Sequence, residues 1–160
     1  MGVSGSGKST IGKLLAARLG WTFAEGDDFH SPAEVAKMKA GQPLDDRDRA
    51  PWLAAIAAQI DAWRAAGTQV VVSCSALKRA YRDVIIGARP DVGLVYLAID
   101  PELAKARLSQ RHGHFMPPSL LPSQLATLEP PTADEHPITA DVNGSPEQTV
   151  ARVMAQLGRV

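Results

Sequence analysis

The sequence predicts a three-layer α/β domain, a parallel sheet between layers of helices with a movable lid. Three observations predict it. Short apolar stretches of strand length alternate with helix-length stretches along all 160 residues, the order that builds a parallel sheet covered on both faces. A glycine-rich loop at residues 2–10, Gly-Val-Ser-Gly-Ser-Gly-Lys-Ser-Thr, runs straight into a helical stretch at residues 11–19. One irregular stretch, residues 113–137, holds six prolines and is too long for an ordinary connection. It also carries Phe115, Leu120, Leu121, Leu125 and Leu128, which need a surface to close against, so it reads as a lid rather than a spacer. No repeat or linker divides the chain, and residues 1–160 read as one domain.

Each element has its own signal. Residues 21–24 read as a short strand that ends in Glu25-Gly26-Asp27. Ser31-Pro32-Ala33-Glu34 combines a capping box with proline at the first helical position, and Gly41 stops that helix. Trp52, Ile56, Ile60 and Trp63 recur on one face of a longer helix that ends near Gly67. Val70-Val71-Val72 is a buried strand, and a helix follows from about Lys78. Residues 94–99 form the next strand, after which Asp100-Pro101 starts another helix. Residues 138–142 give the last strand, and Ser145-Pro146-Glu147-Gln148 caps a final helix that turns Val150, Val153, Met154 and Leu157 inward.

The exception lies ahead of the loop. Such a loop normally follows a buried apolar strand, and only Met1 stands in front of this one. Either the translation start lies upstream of Met1 or the sheet lacks its central strand. Two bare strand edges would be costly and prone to aggregate, which favours the upstream start.

Seventeen basic and seventeen acidic residues cancel, which removes any broad electrostatic case for a nucleic-acid partner or an acidic membrane. No apolar run reaches the length of a membrane span, and no signal peptide precedes the loop. Cys74 is the single cysteine; it leaves no internal disulfide and no cysteine-rich metal site, and reads as a packing residue. The cytoplasm is the expected compartment.

The loop matches G-x-x-x-x-G-K-[ST], and that spacing makes a phosphate cage. Gly2, Gly5 and Gly7 permit backbone angles that turn successive N–H groups toward one centre, where the following helix aims its positive end. Gly2, Val3, Ser4, Gly5, Ser6, Gly7, Lys8, Ser9 and Thr10 are therefore expected to bind ATP. Lys8 would reach the β- and γ-phosphates, and the Ser9 hydroxyl would coordinate Mg²⁺.

Ligands of open parallel sheets bind beyond the carboxyl ends of the strands, where three more segments should converge. Glu25 and Asp27, two residues apart at a strand end, can divide the work of phosphoryl transfer. Asp27 is assigned to the acceptor hydroxyl and Glu25 to a metal-bound water, against the plainer reading of Asp27 or Asp28 as a helix cap. The strand at residues 70–72 ends in Ser73-Cys74-Ser75, where motor and switch NTPases usually place an aspartate. The metal-organising acid must then come from the Glu25-Gly26-Asp27 turn, which points to a small-molecule kinase. Arg107 and Arg111, four apart on one helix face, suit phosphate clamping or stacking on adenine; a solvated basic helix end is the plainer alternative. Arg107 is assigned to the nucleotide, and Arg111 joins Lys8 and Asp27 as catalytic. His112 and His114 have no partner at metal-ligand spacing, so no zinc site is expected.

With these residues in view, the chain resembles the bacterial gluconokinase family, small P-loop kinases related in fold to shikimate and nucleoside monophosphate kinases. The likeness runs through residues 1–9, Glu25-Gly26-Asp27-Asp28-Phe29-His30, Lys37-Met38 and Gly41-Gln42-Pro43-Leu44. It continues through residues 45–49 with Pro51-Trp52, residues 74–78 with Tyr81-Arg82-Asp83, Gly113-His114-Phe115 and residues 124–129. Two departures stand out: the family's first strand is missing, and Ser31 is inserted between His30 and Pro32. The resemblance implies a P-loop kinase fold, transfer of the ATP γ-phosphate to the 6-hydroxyl of D-gluconate with Mg²⁺, and a homodimer. A sugar acid needs a cation and several polar groups. Asp27, His30, Arg49, Lys78 and Arg82 are the expected substrate contacts, although each cation also reads as an ordinary ion-pair partner.

Overall fold

The structure, a computed structural model, describes residues 1–110 and 117–158. Helix α1, Lys8–Leu19, begins at Gly7 (φ 87°) and stops at Gly20 (φ 69°), both left-handed, a conformation glycine adopts without steric cost. Strand β1, Thr22–Glu25, runs into a 3-10 turn over Gly26–Phe29. Ser31 caps helix α2, Pro32–Lys39, through its expected capping box with Glu34, and Asp45 with Asp48 makes a second box ahead of α3, Asp46–Ala65. Strand β2, Val70–Ser73, helix α4, Arg79–Ile85, strand β3, Val95–Ala98, and helix α5, Pro101–Ser109, follow in alternation. Strand β4, Ile138–Asp141, and the last helix, Pro146–Leu157, complete the order; Val150 and Val153 of that helix are fully buried.

One expectation is corrected here. The stretch at 113–137 is not irregular throughout, because Leu121–Thr127 is an α-helix. It is numbered α6, and the closing helix α7. Pro118 opens a 3-10 turn and Pro122 stands in the first turn of α6. Proline is accepted at those positions because no intrahelical N–H bond is lost there. Residues 113–116 of the expected lid lie outside the described residues, as does Arg111.

Among the described residues the strands form two parallel pairs, β1 with β2 and β3 with β4. Thr22 pairs with Val70 and Val95 with Ile138, and each register continues for the length of the strands. The pairs are separated by an apolar slot of about 520 Å³ whose walls include Val70, Val72, Val95 and Leu97, with Leu15 from α1 and Ile60 from α3. Met1 sits at one end of this slot. Its amino group donates to the Val95 carbonyl and its own carbonyl accepts from the Leu97 N–H at 3.0 Å, the pattern of a parallel bridge to Tyr96. Gly2 then donates to the Ser75 carbonyl at 3.2 Å, so the chain passes between the two pairs as it enters the loop. Burial, reinforced by the charge of Lys8, pushes the Met1 amine down to about 5. The core forms on both sides of the strands. Ile11 and Leu15 pack with Leu97, Val142, Val150 and Val153, whereas Trp52, Ile56 and Ile60 pack with Tyr81 and Ile85.

Candidate active site

The phosphate loop is held from below by close packing. A Cβ on Gly5 would lie 2.8 Å from the Ala104 carbonyl, and one on Gly2 would lie 2.9 Å from that of Leu97, so both positions require glycine for space as well as for positive φ. Val3 and Ser6 turn inward and are buried, Val3 among Leu77, Ala104, Leu108 and Leu121. The loop thereby presents backbone to the outside. Above it lies a cavity of about 170 Å³ lined by Ser4, Gly5, Gly7, Lys8, Ser9 and Thr10 together with Asp27, Ser75, Arg107 and Gln124. Gly2, Val3 and Ser6, included with the nucleotide-binding residues from the motif, form the loop's underside and do not line this cavity. Lys8 Nζ donates to the Val3 carbonyl at 3.1 Å. Arg107 reaches in from α5, its guanidinium donating to the Val142 carbonyl at 2.6 Å and approaching the Gly5 carbonyl at 3.5 Å.

Glu25 ends β1 beside this cavity. It accepts a hydrogen bond from Ser73 at the end of the neighbouring strand. Burial raises its carboxyl pKa, a hydrogen bond from Ser9 opposes the rise, and the charge of Asp27 adds to it. Ser9 and Glu25 thus form one cluster with Asp27 nearby. These are hard oxygen donors of the kind Mg²⁺ takes, one or two carboxylates beside a hydroxyl and substrate phosphates, and the residues fit that ion.

A second, smaller pocket abuts the first. Asp27, Ser75 and Gln124 line both, and His30, Met38, Pro43, Leu44, Arg49, Trp52, Leu77, Leu120 and Ser123 complete the second. His30 stacks on Trp52, with ring centroids 4.4 Å apart and planes 10° from parallel. Trp52 is fixed in turn by donating to the Gly26 carbonyl at 2.8 Å. Burial pushes the His30 pKa down, against the charge of Asp27 and Glu34, which favours a neutral imidazole able to donate and accept. Arg49 lies over the Tyr81 ring and donates to its hydroxyl at 3.1 Å, while that hydroxyl donates to Asp46. A cation, an imidazole and a carboxylate therefore face one small space.

Two expected substrate contacts fall elsewhere. Lys78 Nζ is bound to both carboxylate oxygens of Asp46 at 2.8 Å and does not line the pocket. Arg82 is the larger correction. It is 2% exposed, donates to Glu135 with both Nε and a terminal nitrogen, and donates to the carbonyls of Ala76, Leu77 and Glu129. Its guanidinium ties α4 to the segment after α6, a buried structural staple. Cys74 is buried, and desolvation pushes its thiol up to about 12, which matches a packing residue. Motif reading assigned no role to Gln124, Ser75 or Tyr81, although all three stand in segments that carry the family likeness. Gln124 could not be found from spacing, because its partner Ser4 is 120 positions away.

The fold and the site define a P-loop kinase: a phosphate loop at the head of a helix, an acidic turn at the end of the next strand, and a second small pocket that shares Asp27, Ser75 and Gln124 with the phosphate cavity. An AAA domain family profile matches residues 1–131. A gluconokinase of Gluconobacter oxydans (strain 621H) is 55% identical over 138 residues, spanning 84% of this chain and 76% of that protein. The crystal structure of a gluconokinase from Sinorhizobium meliloti 1021 superposes with a TM-score of 0.88 at 44% identity, over 99% of this chain and 89% of that one. That of a sugar kinase from Janibacter sp. HTCC2649 gives a TM-score of 0.93 at 49% identity, over 99% and 91%. The chain belongs to the gluconokinase family of P-loop kinases.

Proposed function

We propose that this protein transfers the γ-phosphoryl group of ATP to the 6-hydroxyl of D-gluconate, giving 6-phospho-D-gluconate and ADP. The observation that carries the reading is the small pocket walled by Arg49, His30 and Asp27, which shares Asp27, Ser75 and Gln124 with the phosphate cavity. Arg49 suits the carboxylate of a sugar acid, and neutral His30 suits one of its hydroxyls. The acceptor oxygen attacks the γ-phosphorus, the bond from that phosphorus to the β–γ bridging oxygen breaks, and the hydroxyl proton passes to the Asp27 carboxylate. The loop amides and Lys8 stabilise the charge on the transferring group, with Arg107 holding the nucleotide and Arg111 assigned to the same charge. Ser9 and Glu25 would hold Mg²⁺, which supplies further charge neutralisation on the phosphates when bound.

The acceptor pocket holds about 30 Å³, room for one or two waters and far less than a six-carbon acid. One wall must move to admit it. Leu120, Ser123 and Gln124 stand on that wall and belong to the segment read from the sequence as a lid; we propose that it opens to admit the acceptor and that the contacts of α6 belong to the closed state. The proposal includes a cytoplasmic location, where ATP is available, and a homodimer, as the family resemblance implies. Among the described residues no helix is long and apolar enough to cross a membrane.

The test is an ADP-release assay with D-gluconate, shikimate and nucleoside monophosphates as acceptors, the product identified by ³¹P NMR. Saturable release with gluconate alone and a 6-phosphate product are expected. Preference for either of the other acceptors would overturn the substrate assignment.

A further inference from the structure

Three side chains line both the phosphate cavity and the acceptor pocket: Asp27, Ser75 and Gln124. Asp27 has a role in the transfer. Gln124 stands at the same junction with none assigned, and its setting is unlike that of a surface glutamine. It is 7% exposed, and its Oε1 accepts the backbone N–H of Ser4 in the phosphate loop at 2.7 Å. A backbone N–H can only donate, so the carboxamide oxygen is the atom turned to the loop, and the planarity of the amide fixes the direction of its NH₂ as well.

The helix beneath it is pinned on two sides. Leu121 packs with Val3, Leu77, Ala104 and Leu108 under the phosphate loop. Leu120 packs with Met38 and Leu44, which wall the acceptor pocket. Beyond α6, the Glu129 N–H donates to the Leu77 carbonyl at 2.8 Å. One short helix is thus fastened both to the floor of the nucleotide site and to the wall of the acceptor site, and Gln124 is its side chain at their meeting point.

We infer that Gln124 is a positioning residue for phosphoryl transfer, holding the Ser4 end of the phosphate loop in register with the acceptor pocket. This rests on the kinase reading above. An amide suits the task for two reasons. Its oxygen satisfies a loop N–H, and the neutral amide adds no negative charge beside a group whose oxygens already carry it. A carboxylate of the same shape would keep the first property and reverse the second.

Two variants separate these properties. Gln124→Met keeps the length and removes the acceptor. Gln124→Glu keeps an oxygen for Ser4 and places a negative charge beside the phosphates. Thermal midpoint, kcat, the KM values for ATP and gluconate, and intrinsic ATP hydrolysis without gluconate are measured for each. Gln124→Met should lower kcat about tenfold or more, since small misplacements of reacting groups cost up to about a hundredfold. Its KM for ATP should stay within about threefold. Gln124→Glu should also be slow at pH 8, and its kcat relative to the wild type should rise toward pH 5.5 as the new carboxyl takes a proton. A merely structural glutamine would not confer that pH dependence. Intrinsic hydrolysis needs no sugar acid, so it reports on Gln124 even if gluconate proves to be the wrong acceptor. Both variants keeping kcat and hydrolysis within twofold of the wild type, with its pH profile, would overturn the inference.

Discussion

The phosphate cavity and the acceptor pocket share three side chains, yet they are built by opposite means. The first is made of consecutive backbone. Its shape follows from left-handed glycines, their close approach to Leu97 and Ala104, and the head of α1. The second is made of side chains from the turn after β1, the start of α3, the end of β2 and α6, which meet only because the fold brings them together. A backbone site tolerates changes of side chain but not of glycine. A side-chain site can change specificity one residue at a time.

The contrast predicts where each substitution acts, and the effects run from large to small. Asp27→Asn removes the one carboxylate placed at both cavities. It should lower kcat by about 10²–10⁴-fold, the usual range for a general base, with the KM for ATP little changed. A variant that instead loses ATP affinity at unchanged kcat would make Asp27 part of the nucleotide site. Lys8→Ala should lower kcat by about a hundredfold or more through lost charge stabilisation, with the thermal midpoint unchanged. Full activity in a folded variant would show that the loop binds without catalysing.

Arg49→Gln tests the side-chain half alone. Losing a charge-assisted contact worth about 1.5–3 kcal/mol should raise the KM for gluconate by about 10–100-fold and leave that for ATP in place. A shift in both would mean the two cavities are less separable than their construction implies.

Arg82 is a cation near the site that serves the fold. Its partner Glu135 is 7% exposed at the side chain, and Arg82→Leu removes the cation hydrogen-bonded to that carboxylate, leaving it the Thr132 N–H at 3.0 Å and Arg79 at 3.8 Å. Losing hydrogen bonds to a charged group costs about 1.5–3 kcal/mol, so chemical denaturation should show the loss in stability. The hydrogen bond from Arg82, opposed by desolvation, holds the Glu135 carboxyl at about 2 against an ordinary 4.5. A depressed carboxylate stabilises the fold fully above its unfolded value and less as pH falls through the folded one. The wild type should therefore lose stability between pH 4.5 and 2, and Glu135→Gln should flatten that part of the profile.

How much of this was legible depends on sequence distance. The loop motif, the capping boxes at Ser31 and Ser145 and the alternation of strands and helices are local signals, and the structure places them where the sequence reading does. The buried place of Arg82 is not legible in the sequence, because its partner is 53 positions away and nothing nearby marks it as buried. The six prolines of residues 113–137 hide helix α6 in the sequence, although Pro118 and Pro122 stand where a helix can begin.

On the proposed reading, a side-chain pocket takes the carboxylate and the adjoining backbone pocket takes the phosphates. The most direct measurement compares ADP release with D-gluconate and with D-glucitol, which keeps the six carbons and the terminal hydroxyl but lacks the acid. If Arg49 reads the carboxylate, glucitol should show kcat/KM lower by about 10–100-fold in the wild type, and the difference should largely vanish in Arg49→Gln. Equal turnover of the two acceptors by the wild type would show that Arg49 does not read the carboxylate.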